Sequence, residues 1–209
     1  MKNGYMEAYD EAMRDIVDKP LKILELGIHR GGSLLLWRDY FQNAEISGID
    51  LSPCLSLLNE DRIKCFCGNQ TDTEFLSNVS DIAAPDGFDV IIDDCSHIGS
   101  LTSVSFWHLF DNHLKPSGIY VIEDWGTGYW SCWPDGQSFS VGPIPDLNTS
   151  PKSPWPTHSH GMVGFVKSLV DEQSAPDWQN DKISGASKSF SRFEKMTIRH
   201  GLVFVTKEK

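Results

Sequence analysis

Apolar and polar positions change their period repeatedly along the chain, and the changes divide it into short segments. Residues 90–92 (Val-Ile-Ile) and 119–122 (Ile-Tyr-Val-Ile) are apolar on consecutive positions. Runs of this kind suit strands buried on both faces of a parallel sheet, whereas half-exposed strands alternate. Comparable runs fall at 21–28 (Leu-Lys-Ile-Leu-Glu-Leu-Gly-Ile), 46–49 and 63–67. Between them, helical spacing predicts helices over 1–18, 34–41, 71–79 and 98–114, and further on over 162–172. Ser33 is placed to cap the second helix, and Asp72 and Glu74 fall in the first turn of the third, where the helix dipole favours anions. Lys19-Pro20, Pro85-Asp86-Gly87 and Lys115-Pro116-Ser117-Gly118 supply the turns. Residues 193–198 and 202–205, separated by Arg199-His200-Gly201, read as a terminal hairpin. The alternation predicts an α/β, Rossmann-like doubly wound sheet, mostly parallel, with a C-terminal antiparallel hairpin.

Where the apolar runs stop, carboxylates begin. The central run ends in Asp93-Asp94-Cys95-Ser96-His97 and the next in Glu123-Asp124. Parallel strands point one way, so these ends meet at one edge of the sheet, where open α/β sheets bind ligands. Asp94, Glu123 and Asp124 offer hard oxygen ligands, which suits Mg²⁺. His97, three residues after Asp94, stands off the metal as a candidate base, because its pKa lies near working pH without large tuning. The first strand and its turn, Glu-Leu-Gly-Ile-His-Arg-Gly-Gly-Ser, place Glu25, Gly27, Gly31 and Gly32 at the same edge. Glycine there admits a backbone approach that a β-carbon blocks. Asp50 ends the next strand, 23 residues beyond Gly27, a spacing suited to an acid bonding ribose hydroxyls. A nicotinamide fingerprint requires a middle glycine where His29 stands.

At 209 residues the chain is expected to be a single domain. Its formal charge of −11 lacks the cationic footprint of a nucleic-acid binder and suits an anionic membrane poorly. No apolar run approaches the ~20 residues of a spanning helix, and the N-terminus lacks the features of a signal peptide. The five cysteines are an odd number without framework spacing, and are read as reduced, small apolar residues of a cytoplasmic protein. Residues 125–160 hold four tryptophans and six of the eleven prolines without a period, which predicts a lid or substrate loop. Trp125, Tyr129 and Trp130 are candidates to stack on a substrate ring or sugar face, or else to pack that lid. His158 and His160 fit a solvated loop better than a metal site.

The pattern E-x-G-x-x-x-G with a strand-end acid resembles the S-adenosylmethionine site of class I methyltransferases. The resemblance implies that the glycine turn, with Glu25, Gly27, Gly31 and Ser33, passes the methionine portion. Asp50 then takes the ribose and Asn69 and Gln70 flank the adenine; Asp93 touches the methionine amino group or caps a loop. The segments I-D-D-C-S-H-I, L-K-P-S-G-I-Y-V-I-E-D-W and E-L-G-I-H-R-G-G-S together resemble the macrocin/mycinamicin class of antibiotic-sugar O-methyltransferases, over most of 21–130. That resemblance implies Mg²⁺ held by Asp94, Glu123 and Asp124, His97 as base, and methyl transfer to a hydroxyl of a vicinal diol on a glycosylated natural product. Cys95 and Ser117 stand where the family often has glycine. Macrolide members carry an additional N-terminal domain, whereas the first strand is predicted here at residue 21. Substrate contacts are therefore expected from 125–160, from the first helix, or from a neighbouring subunit; homo-oligomerisation is left open. A catechol-type O-methyltransferase and a cofactor-binding relative without catalysis remain the alternatives.

Overall fold

The computed structural model describes residues 4–52, 55–57, 59–138, 157–179 and 191–209. Among the described residues seven strands form one sheet: β1 Lys22–Leu26, β2 Glu45–Asp50, β3 Ile63–Cys67, β4 Phe88–Asp93, β5 Leu114–Glu123, β6 Phe193–Ile198 and β7 Leu202–Lys207. Their spatial order is β3-β2-β1-β4-β5-β7-β6. The first five run parallel, and β7 runs antiparallel to both β5 and β6. The helices are α1 Tyr5–Met13, α2 Gly32–Tyr40, α3 Thr73–Ala83, α4 Gly99–Asn112, α5 Pro134–Ser138 and α6 Gly161–Gln179. No helix among the described residues is long and apolar enough to cross a membrane.

The consecutive apolar runs are explained by layers on both faces. Tyr9 and Met13 of α1 and Leu34 and Trp37 of α2 cover Ile23, Ile46, Val90, Ile92 and Val121. On the opposite face, Leu76 and Val79 of α3, Phe106 and Phe110 of α4, and Met162, Phe165 and Leu169 of α6 cover Leu24, Leu26, Ile91, Tyr120 and Ile122. Each central strand thus buries both of its faces, and alternation has no reason to appear.

Three local expectations are corrected. Ser33 does not cap α2: Gly31, left-handed at φ 82°, precedes the helix without a side-chain cap, and the Ser33 hydroxyl bonds Glu25 instead. Thr71 does not begin α3; the Asp72 carboxylate accepts the Phe75 N–H at 3.0 Å and is itself the cap. β5 starts at Leu114, ahead of the predicted turn, because Leu114 already pairs with Phe88 before the register shifts. Among the described residues, Cys67 and Cys132 are exposed and not packed as apolar residues, whereas Cys65 and Cys95 are half-buried.

Within 125–160, a 3₁₀ turn spans Trp125–Tyr129 and α5 follows; residues 139–156, the centre of the expected lid, lie outside the described residues. One carboxylate ties this segment to the body. Asp135 is 8% exposed, and its Oδ2 accepts the N–H groups of both Gly99 (2.8 Å) and Met162 (2.6 Å). These are first-turn amides of α4 and α6, with no partner inside their own helices. Asp135→Ala is expected to lower stability by about 2 kcal/mol, roughly one per cap, read as a fall in the urea midpoint at unchanged slope. An unchanged midpoint removes the clamp.

Candidate active site

The carboxyl edge carries its crevice where β1 has β2 on one side and β4 on the other, the position at which open sheets admit ligands. An open cleft of about 800 Å³ lies there, large enough for a nucleoside and part of an acceptor. Its lining includes Gly27, Asp50, Asn69 and Gln70 together with Asp94, Cys95, His97, Asp124 and Trp133.

Gly27 follows β1 at φ 95°, and a β-carbon on it would stand 2.1 Å from the Asp94 carbonyl oxygen. The close approach that demands glycine is therefore the main chain of the neighbouring strand. Asp50 closes the turn: its Oδ2 accepts from the Ile28 and His29 N–H groups, both at 2.9 Å, and its Oδ1 from Ser52 at 3.0 Å. Burial pushes this carboxyl up, but those three amides outweigh it and hold the pKa below the usual range. Asn69 caps its own turn through Thr71. Gln70, 4% exposed, donates from Nε2 to Ser105 Oγ at 3.2 Å.

Two residues assigned to the cofactor lie beneath the cleft. Asp93, 1% exposed, accepts from Ser105 Oγ (3.0 Å) and the Tyr120 hydroxyl (3.1 Å). Successive strand residues point to opposite faces, so Asp93 turns toward α4. Burial raises its pKa to about 6 against those hydrogen bonds. Glu25, also 1% exposed, is held well above the carboxylate range by burial, with Ser33 opposing; it lies under the turn, outside the cleft lining. Gly31 and Ser33 likewise fall outside that lining and shape the start of α2.

At the tip of β4 and just past β5, Asp94, His97 and Asp124 each present one ligand atom, and these atoms lie within 4.8 Å of one another. His97 Nε2 is 3.6 Å from Asp94 Oδ1, and its side chain is 11% exposed. His97 and Asp124 both hold left-handed backbones, at φ 52° and 51°, a strain of the kind found at functional sites. Burial, then the charges of Glu123 and Asp124, raise the Asp94 pKa to about 8. Glu123 is raised to about 7 by burial and by Asp124, against its hydrogen bond from Tyr9. Burial lowers the His97 pKa, opposed by Asp124 and by the Glu123 main chain.

A divalent cation fits this set. Crowded, desolvated carboxylates resist ionising together, and a bound dication reverses that cost. Neighbouring oxygens around Mg²⁺ stand roughly 3–4 Å apart, so the cluster needs only a small contraction. The expected ligand set is modified in one respect. The Glu123 carboxylate is not in the cluster; its Oε1 accepts from the Tyr9 hydroxyl, while Tyr5 donates to Asp124 Oδ1.

The aromatic side of the cleft also differs from expectation. Trp133 lines it, donating from Nε1 to the Ser96 carbonyl (3.1 Å), with its ring 5.6 Å from the His97 ring. Trp125 packs against the core and reaches the Arg199 carbonyl, Tyr129 meets the His158 ring edge-on, and Trp130 is exposed. The tight turn after Asp124 carries these three past the cleft wall. Tyr5, Tyr9 and Trp133 were not singled out; only the four-residue spacing of the two tyrosines was visible, and nothing local ties it to β5.

No family model matches the chain. It is 31% identical over 206 residues to a mycinamicin VI 2''-O-methyltransferase from Micromonospora griseorubida, which covers 95% of this chain and 47% of that protein. It is 32% identical over 208 residues to a demethylmacrocin O-methyltransferase from Streptomyces fradiae, with the same coverages. The chain spans about half the length of these curated relatives. A crystal structure of the MycE methyltransferase from the mycinamycin biosynthetic pathway, in complex with Mg and SAH, superposes on 98% of this chain and 50% of its own, with TM-score 0.75 and 30% identity. In sequence and in fold, the chain is similar to the half of the macrocin/mycinamicin-type sugar O-methyltransferases that it covers, and its sheet is that of a class I methyltransferase.

Proposed function

We propose that this chain is the catalytic domain of a cytoplasmic enzyme that moves the methyl group of S-adenosylmethionine to a hydroxyl of a vicinal diol on a sugar of a glycosylated natural product. The observation that carries the reading is the convergence of Asp94, His97 and Asp124 in the same cleft as Gly27 and Asp50. The relatives support it: each is named for O-methylation in an antibiotic series, and one structural neighbour is described with Mg, SAH and mycinamycin VI.

When bound, Mg²⁺ supplies Lewis acidity and a template for two adjacent hydroxyls, and S-adenosylmethionine supplies the methyl group. Asp94 and Asp124 would hold the ion, with Glu123 the third acid beside them. Asp50 keeps a free lone pair on Oδ1 for a ribose hydroxyl after its three amide contacts. His97, whose pKa burial lowers, takes the acceptor's proton. The resulting imidazolium stands beside two carboxylates that favour its charge. Trp133 stands tilted beside that ring and covers one side of it.

The test is an incubation with S-adenosylmethionine, Mg²⁺ and a macrolide carrying a sugar diol. A mono-methylated product is expected, lost in excess chelator and restored by added Mg²⁺. Turnover at full rate in the chelator would remove the metal from the reaction, and methylation of a catechol with the macrolide left untouched would change the substrate class.

A further inference from the structure

Tyr5 and Tyr9 stand four residues apart on α1, hence on one helical face, and that face meets the end of β5. Tyr9 is 1% exposed, with its ring packed at 4.6 Å on Trp37 and 5.5 Å on Phe204, so its hydroxyl has one reachable orientation. That hydroxyl donates to Glu123 Oε1, and Tyr5 donates to Asp124 Oδ1. The hairpin turn is shaped to admit Tyr5. Gly201 holds φ 75°, and a β-carbon there would lie 1.9 Å from the Tyr5 hydroxyl. Glu11 on the same helix pairs with Arg199 of that turn, fixing α1 against the hairpin.

Each phenol thus occupies one oxygen of its acid and leaves the other. A carboxylate held in this way presents its unbonded oxygen to a cation more readily than the hydrogen-bonded one. Small octahedral ions accept that arrangement, whereas Ca²⁺ takes six to eight oxygens and readily uses both of a carboxylate. We propose that Tyr5 and Tyr9 are positioning residues, Tyr5 holding Asp124 as a one-oxygen donor and Tyr9 holding Glu123 beside it, and that they so set the site for a small octahedral cation over Ca²⁺. This rests on the metal reading of the acids given above.

The experiment is Mn²⁺ binding to the full chain, followed by electron paramagnetic resonance of the free ion, with Ca²⁺ as competitor. Tyr5→Phe and Tyr9→Phe keep the rings and remove only the hydroxyls. Each is expected to weaken Mn²⁺ about 10–100-fold, the usual effect of losing a partner behind a ligand, and to let Ca²⁺ compete better. S-adenosylhomocysteine affinity stays at the wild-type value in the folded variants, which a merely structural role does not predict. Gly201→Ala, which displaces Tyr5, is expected to follow Tyr5→Phe; where Tyr9→Phe fails to fold, Tyr5→Phe and Gly201→Ala carry the result. Folded variants with wild-type Mn²⁺ affinity and an unchanged Ca²⁺ ratio overturn the positioning role alone. A wild-type chain that binds no Mn²⁺ overturns the metal reading and the inference with it.

Discussion

Replacing His97 with alanine is expected to lower kcat by about 10²–10⁴, the range general-base catalysis supplies, while S-adenosylhomocysteine binds as in the wild type. The separation follows from position. His97 belongs to the acid cluster, whereas Asp50, bonded to the turn after β1, holds the cofactor in the proposed reading. The pH profile carries the same information with a definite sign. The base works only when neutral, so activity falls as pH drops through its pKa. Burial sets that pKa below the ordinary 6.5, and the acid limb of kcat therefore lies on the acid side of 6.5. The alanine variant loses that limb. An alanine variant with wild-type turnover, or one that keeps the limb, takes the base role away from His97.

What could be read ahead of the structure divides along physical lines. The sheet was legible because burial on both faces leaves unbroken apolar runs, and the runs of β1, β4 and β5 have no other economical explanation. The convergence of Asp94, His97 and Asp124 was legible for the same reason, since parallel strands must end together. What escaped depends on contacts that carry no local signature. Tyr5 and Tyr9 lie more than a hundred residues from the acids they hold. Trp133 reaches the cleft through a 3₁₀ turn that periodicity does not announce. Asp135 acts by accepting two amides from helices that begin elsewhere. Asp93 is different, because strand alternation sends adjacent residues to opposite faces. Once Asp94 was assigned to the cleft, Asp93 belonged to the α4 side, where Ser105 and Tyr120 receive it.

The glycine turn was legible in kind but not in cause, and the difference produces the second large expectation. Were Gly27 kept small for a ligand, alanine there would weaken cofactor binding and little else. The geometry says otherwise. At φ 95° an L-residue is strained, costing about 1–3 kcal/mol, and the new methyl meets the Asp94 carbonyl, a backbone atom just past the end of β4 that cannot swing aside as a side chain would. The Gly27 N–H also bonds the Ile49 carbonyl at 2.8 Å, and the Asp94 N–H bonds the Leu26 carbonyl at 2.9 Å, so relief by moving either chain breaks the ladder that holds Asp94 beside His97. Gly27→Ala is therefore expected to lose stability by at least about 1–3 kcal/mol in urea unfolding, and turnover with it, because the displaced residue is Asp94. Gly48→Ala supplies the comparison: its added methyl meets only the side chains of Leu34 and Ile28 at a backbone without positive φ. It is expected to unfold earlier, yet to keep the ratio of turnover to folded protein. Equal losses of specific turnover in the two variants, or full turnover in Gly27→Ala, would show that the β1 turn does not govern where Asp94 stands.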